Sequence, residues 1–375
     1  MAADQSQTIK ISGVEYRILD SIQDFRAEDS FIHRSNKLAQ FEGNGEAKKY
    51  VGSYRDENIQ VIGNFFDYSN WGVEYKDEER KQKTFESAKL AGGVIQNGTC
   101  FFSKANLLQY LEDAKVEYFA KDQIYHNDIS AEYQNRLDEI RALESEYIYF
   151  SIYDASDGHT QKQSRAYIRS DDPIWGIWRK IVLPKISYLS ILKIVPAIQE
   201  QKDTKPLFYF RIVLDYQYRS ITHPSLLKEY AVEEPTADIP AKRAYRIGAD
   251  KYRRGVLDHM PQCPFTLITE ERLLIASHIK PYVACMREGN QDEALHHLNG
   301  LSLSPTYDRL FDQGFITFTD EGDLVCGTQL NAITWSRLNI NPASKKRMRI
   351  HPEGREGYLE YHRRHVFQGN IDEFI

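Results

Sequence analysis

The tightest constraint on this chain is its punctuation between Thr266 and Val325, where prolines, glycines and an Asn-Gly pair break the apolar pattern into short pieces. Thr266 to Lys280 predicts a strand pair turning at Thr269-Glu270-Glu271, with His278 at the edge of its second strand and Pro281 ending it. Asn299-Gly300 opens another apolar run, Leu301-Ser302-Leu303. Pro305 then suits the first turn of a helix bearing Asp308, Leu310, Phe311 and Asp312, and Gly314 stops it. Phe315 to Val325 predicts a hairpin with Asp320–Asp323 at its tip. Upstream, Arg246 to His259 predicts a basic amphipathic helix carrying Lys251, Arg253 and Arg254.

The order is a histidine on a strand, an asparagine, then an acid on a helix. That is a compact frame for metal-assisted hydrolysis of a phosphodiester. An imidazole accepts a proton from water, and a divalent ion on hard oxygen ligands neutralises the scissile phosphate and the leaving oxygen. Rigid elements carrying base and ligand fix their separation.

ASHIKP followed by NGLSLSPTYDRLFDQGFITF resembles the HNH (ββα-metal finger) endonuclease family, in its bacterial restriction-endonuclease-like branch. YRIGADKYRR…CPFT and GYLEYHRRHVF resemble that branch's lead-in and tail, so the resemblance spans about residues 245–367. It implies that His278 is the general base and that Asn299 braces the imidazole by hydrogen bonding. It makes Asp308 the helix-borne metal ligand, while Ser277 stands where many members place an acidic or histidine first ligand. Tyr307 falls where this branch often has a histidine. Asp312 is either a further ligand or support for the turn at Gly314. The implied ion is Mg²⁺, with Mn²⁺ as substitute. Without paired cysteines at the finger, the zinc-braced variant is not expected.

The resemblance further implies double-stranded DNA as partner, a homodimer to cut both strands, and products ending in a 5′-phosphate and a 3′-hydroxyl. Lys280, Arg309, Arg253 and Arg254 become candidates for DNA contact. The cluster Lys345, Lys346 and Arg347 is either solvated surface or phosphate contact. Three readings follow. One is a metal-dependent restriction-type endonuclease; another is its modification-dependent counterpart, reading a base such as methylcytosine. The third is a DNA-binding protein with an inactive finger.

The rest of the 375-residue chain reads as α+β, possibly in two subdomains. Residues 8–20 predict a strand or hairpin around Gly13, and 49–75 predict short strands. Asp77 to Lys83 is a charge run, and Gly92-Gly93 and Asn97-Gly98 read as turns. Ser103 caps a helix through about Ala114, and a second helix runs from Ser130 to Ser145. Residues 146–154 and 207–218 are the strongest strand signals, and Trp175 to Ile198 reads as helix broken at its prolines. Glu233 to Pro240 is the best linker, so the expected domains are a recognition region at 1–235 and a nuclease domain at 241–375.

Charge separates the same regions. The net charge is −6, but from Ala241 onward 18 Lys+Arg face 17 Asp+Glu, leaving 30 against 37 in the first 240 residues. The acidity therefore does not exclude a DNA partner for the C-terminal part. The start MAADQSQTIK has no apolar run behind a basic opening, and no stretch is apolar enough for a bilayer span. A cytoplasmic home without membrane contact is expected. The four cysteines lie far apart and are expected as free thiols, with a zinc site from Cys263, Cys285 and His296 or His297 as a remote alternative.

Overall fold

The computed structural model describes residues 7–26, 48–53, 65–66, 94–120, 129–154, 165–170, 172–183, 186–198, 204–223 and 248–373. They fall into two compact units, one within Ser6–Asp215 together with Ile371–Ile375, the other within Tyr216–Asn370. The expected strands of 54–64 and 67–75, the run Asp77–Lys83, Gly92-Gly93, the linker Glu233–Pro240 and the helix start at Arg246 lie outside the described residues.

The first unit is built on a sheet. Its strands are β1 (Thr8–Ile11), β2 (Val14–Arg26), β3 (Lys48–Ser53), β4 (Val94–Ser103), β5 (Tyr147–Asp154), β6 (Arg165–Arg169), β7 (Ser187–Pro196) and β8 (Leu207–Leu214). They lie in the order β1-β2-β7-β8-β4-β5-β6-β3. Neighbours are antiparallel except β4 and β8, which pair in parallel with Cys100 opposite Phe208 and Phe102 opposite Phe210. Ser12 and Gly13 turn β1 into β2 with φ of 45° and 84°, the left-handed pair that a two-residue hairpin loop demands. The helices are α1 (Lys104–Phe119), α2 (Ser130–Arg141) and α3 (Pro173–Ile181). Ser103 caps α1 by accepting from the Asn106 amide, and α1 runs a turn beyond its expected end.

At the central strands β4, β7 and β8 both faces of this sheet are buried, and strand alternation divides the aromatics between them. Phe102, Phe150 and Phe210 share one face with Trp175 and Trp178 of α3, with ring centroids 5.0 Å apart for Phe102–Phe150 and 5.1 Å for Phe150–Phe210. Phe101 and Tyr209 stack at 5.0 Å on the other face, among Ile9, Ile11, Leu192 and Ile194. Fully burying one such side chain stabilises the fold by about 1.5–3 kcal/mol.

Double burial explains one correction. Ser187–Pro196, expected as helix, is the interior strand β7. Buried on both sides, its apolar run carries no period to separate strand from helix. A second correction concerns Asn97-Gly98, which lies inside β4 rather than in a turn. The register there shifts between Gln96 and Cys100, so the pair serves a bulge.

The same unit buries a polar knot. Arg211 and Asp372 are each fully buried and ion-paired at 2.9 Å, and the Tyr209 hydroxyl donates to Asp372 at 2.8 Å. Burial pushes the Asp372 carboxyl up against the pull of Arg211. The Asn106 carboxamide bridges Ile212 of β8 and the Ile371 carbonyl, so the end of the chain is stitched to the sheet.

The second unit contains α4 (Ala249–His259), β9 (Ile275–His278), α5 (Tyr282–Arg287), α6 (Gln291–Leu295), β10 (Gly300–Leu303), α7 (Pro305–Asp312), β11 (Ile316–Phe318), β12 (Leu324–Cys326), α8 (Ala332–Arg337) and α9 (Glu356–Tyr361). Its core gathers Leu257, Phe265, Leu301, Leu303, Phe311, Phe318, Trp335 and Leu359. The expected strand pair within 266–280 is not formed. Leu267 takes φ of 59° in a tight turn closed by Leu267 N to Cys263 O, and a 3-10 turn follows at Glu271–Leu273. Instead β9 pairs antiparallel with β10 across the intervening α5 and α6. Among the described residues no helix is long and apolar enough to cross a membrane.

Candidate active site

The β9–β10 pairing sets Gly300 opposite His278 and Leu301 opposite Ser277. Alternation sends Ser277, with Leu301 and Leu303, to the hairpin face that packs on α7 through the core. His278 takes the opposite face with Gly300. His278 is the last residue of β9, and α7 packs against the same strand.

Asn299 holds that end in shape. Its Oδ1 accepts from the Lys280 amide at 2.8 Å, and its Nδ2 donates to the carbonyls of Lys280 at 3.1 Å and Glu293 at 3.2 Å. The carboxamide also contacts Cys285 Sγ at 3.7 Å and is fully buried. Asn299 thus closes the α5–α6 loop onto the residue two beyond His278. Its hold on the His278 end of β9 runs through the backbone, whereas the resemblance implied a bond to the imidazole itself.

The ring of His278 is fixed by other groups. Its Nε2 lies 3.0 Å from the Ala294 carbonyl. A carbonyl only accepts, so the neutral ring carries its proton on Nε2 and its lone pair on Nδ1. The Tyr252 ring stacks on the imidazole face at 4.1 Å and 14°, and Tyr282 meets it edge-on at 6.1 Å.

Helix α7 begins at Pro305, just after Leu303 pairs with Ile275 at the start of β9, and the Asp308 amide bonds Ser304 O at 2.8 Å. Asp308 and Asp312 are one turn apart and share a helix face. The Asp308 carboxyl is pushed up to about 6, first by burial and further by Asp312, against the stabilising Ser277 hydroxyl and Arg309. The buried Ser277 Oγ faces Asp308 without closing a full hydrogen bond to any described group. Burial also raises the Tyr216 phenol, and the charges of Asp312 and Asp308 add to it. Nothing in the local sequence singles out Tyr216, whose place near these carboxylates comes from tertiary packing.

A half-buried carboxylate held uneasily ionised, a second beside it and an orphaned hydroxyl form an all-oxygen donor set. That set fits a hard divalent cation and not a thiolate-loving one. Among the described residues no three His, Cys, Asp or Glu side chains converge, so such an ion would keep several waters. Tyr307, on the other side of α7, stacks on Phe265 at 4.7 Å in the core, away from these donors. Cys263 contacts Ser304 and Cys285 contacts Asn299, in separate apolar clusters. His297 stacks on His259 at 3.9 Å, and His296 adjoins Tyr358.

The basic residues divide sharply. Lys280 is buried, with Nζ 2.6 Å from Glu288 and 2.8 Å from Glu293. Burial opposes its charge, but the two carboxylates outweigh that and raise its pKa. Its amine therefore ties the loop together, and a phosphate could reach it only by displacing them. Arg253 donates to the carbonyls of Leu274 and Glu271, both at 2.8 Å, fixing the approach to β9. Lys346 bonds the Tyr307 hydroxyl at 2.8 Å, and Arg347 forks onto Asp323 at 2.7 and 3.0 Å. Arg309 is held by the Gln313 carboxamide oxygen one turn on. Arg254 and Lys345 are exposed.

Residues 263–319 match the family model of the HNH endonucleases, a segment that contains β9, Asn299 and α7. No curated protein matches the chain.

Proposed function

We propose that this chain, whose residues 263–319 carry an HNH endonuclease domain, is a metal-dependent DNA endonuclease of restriction type. The observation that supports this most is the tautomer imposed on His278. With Nε2 engaged by Ala294, Nδ1 is the basic nitrogen, and the adjacent residue, Ser277, brings its hydroxyl to the Asp308 carboxyl, which Asp312 also neighbours. Nδ1 accepts a proton from water as the water oxygen bonds to phosphorus. The P–O3′ bond breaks, its electron pair leaves with the 3′ oxygen, and that oxygen takes a proton from solvent. The strands then end in a 5′-phosphate and a 3′-hydroxyl. Asp308 is the principal ligand of the metal, with Ser277 and Asp312 beside it, and Mg²⁺ is the preferred ion. When bound, it offsets the negative charge that develops on the phosphate and the leaving oxygen.

Each chain holds one such centre, so cutting both strands calls for two copies related by symmetry. Arg254, Lys345 and Arg309 are the basic residues best placed to meet phosphates. The sheet-based unit is the candidate reader of the DNA site, either plain sequence or a modified base. The sparse ligand set favours one second reading, a DNA-binding protein with an inactive finger.

Incubation with methylated and unmethylated plasmid, with Mg²⁺ or with EDTA, tests this. Cutting in Mg²⁺ alone is expected. Cutting of only one plasmid preparation would identify the preferred DNA, and binding without cutting in any divalent metal would favour the inactive finger.

A further inference from the structure

We propose that Tyr252, on α4 and outside the segment matched by the family model, is a positioning residue that locks the plane of the His278 imidazole. The inference rests on His278 acting as general base. The hydrogen bond from Nε2 to Ala294 O at 3.0 Å fixes one corner of the ring, and a flat surface against its face sets its tilt. A pivot of a few tens of degrees would swing Nδ1 away from the attacking water. The Tyr252 ring lies almost parallel on the imidazole at 4.1 Å and 14° and blocks such a pivot, while Tyr282 closes a second side edge-on.

Tyr252 is itself fixed. It is 4 % exposed, and its hydroxyl donates to the Asn299 carbonyl at 3.0 Å. One side chain therefore ties the base to the residue that closes the following loop. Gly300, paired with His278, makes this approach possible. A Cβ there would lie 2.5 Å from both the Tyr252 hydroxyl and Val256 Cγ2, so any larger residue would push Tyr252 off the ring. Helix α4 thus acts as a backing plate for the base, with Tyr252 and Val256 one turn apart on its buried face.

The test compares Tyr252→Phe, which keeps the flat ring, with Tyr252→Leu, which keeps apolar bulk and loses it. Plasmid turnover in Mg²⁺ is measured with the full chain. Tyr252→Leu should lower kcat about 10-fold with KM within about 2-fold, because ground-state binding is untouched while the reacting geometry loosens. Tyr252→Phe should stay within about 3-fold of the parent. The stacking itself is read by NMR, as an upfield ring-current shift of the His278 ring protons in the parent and in Tyr252→Phe. Unchanged kcat in Tyr252→Leu, or no upfield shift in the parent protein, would overturn the inference. His278→Ala keeps the two levels apart. If it is inactive while Tyr252→Leu is fully active, only the role of Tyr252 falls; if it cuts normally, the assignment of the base falls first.

Discussion

The two units are held together in different ways. The sheet-based unit buries aromatic and aliphatic side chains on both faces of its central strands β4, β7 and β8, and its polar knot at Arg211 and Asp372 is fully enclosed. The second unit has an apolar core of its own, but its strands are only three or four residues long and are pinned by side chains bonded to backbone: Asn299 on Lys280 and Glu293, Arg253 on Leu274 and Glu271, and Arg355 on Gly300. A broad apolar core tolerates graded loss of contacts. A short strand pinned by a buried amide does not, because each unsatisfied amide incurs its full desolvation cost.

The contrast is sharpened first by Phe210→Ala. It should destabilise the sheet-based unit by about 3–5 kcal/mol, seen in denaturant unfolding, while Mg²⁺ binding by the finger is unchanged. Next, Asp308→Asn should weaken Mg²⁺ binding, measured calorimetrically, about 10–100-fold without moving either unfolding transition. Asn299→Ala should act on the finger alone, costing about 1–3 kcal/mol by stranding the Lys280 amide and its neighbours. Loss of stability in the sheet-based unit instead would break the proposed division.

The smallest effect is one of pH. His362 is buried, stacked on Phe311 at 3.8 Å and bonded to Thr317 and the Phe311 carbonyl, and burial lowers its pKa to about 3. Unfolded, it would bind a proton near pH 6.5, so its contribution to stability is complete above that pH. It declines as pH falls and is lost at about 3. At pH 5.5 the finger should have lost about 1 kcal/mol, and His362→Gln should flatten that slope.

The finger was legible in the sequence because its signals are local. Pro305 and Gly314 mark the two ends of α7 within one short segment, and Asn299-Gly300 marks the start of β10. What escaped was long-range. The partner of β9 is a strand beyond two short helices, not the neighbouring TLITE segment, and no periodicity reports such a pairing. The β7 segment was misread as helix because burial on both faces erases alternation. Charge carried less information. Lys280 and Arg253 read as candidates for DNA contact and Lys346 as solvated surface or phosphate contact, and each has an internal acceptor that only the folded chain brings near. Tyr252 carries no signal beyond an apolar place on a helix, and its stacking on His278 arises from packing.

The most direct measurement is single-turnover cleavage in Mg²⁺ by the parent protein and by His278→Ala, with DNA binding followed on the same samples. The expected result is at least a 10²-fold loss of cleavage, roughly the scale of a lost positioned base, with binding largely retained. Equal cleavage by both proteins would contradict a mechanism in which this imidazole activates the water.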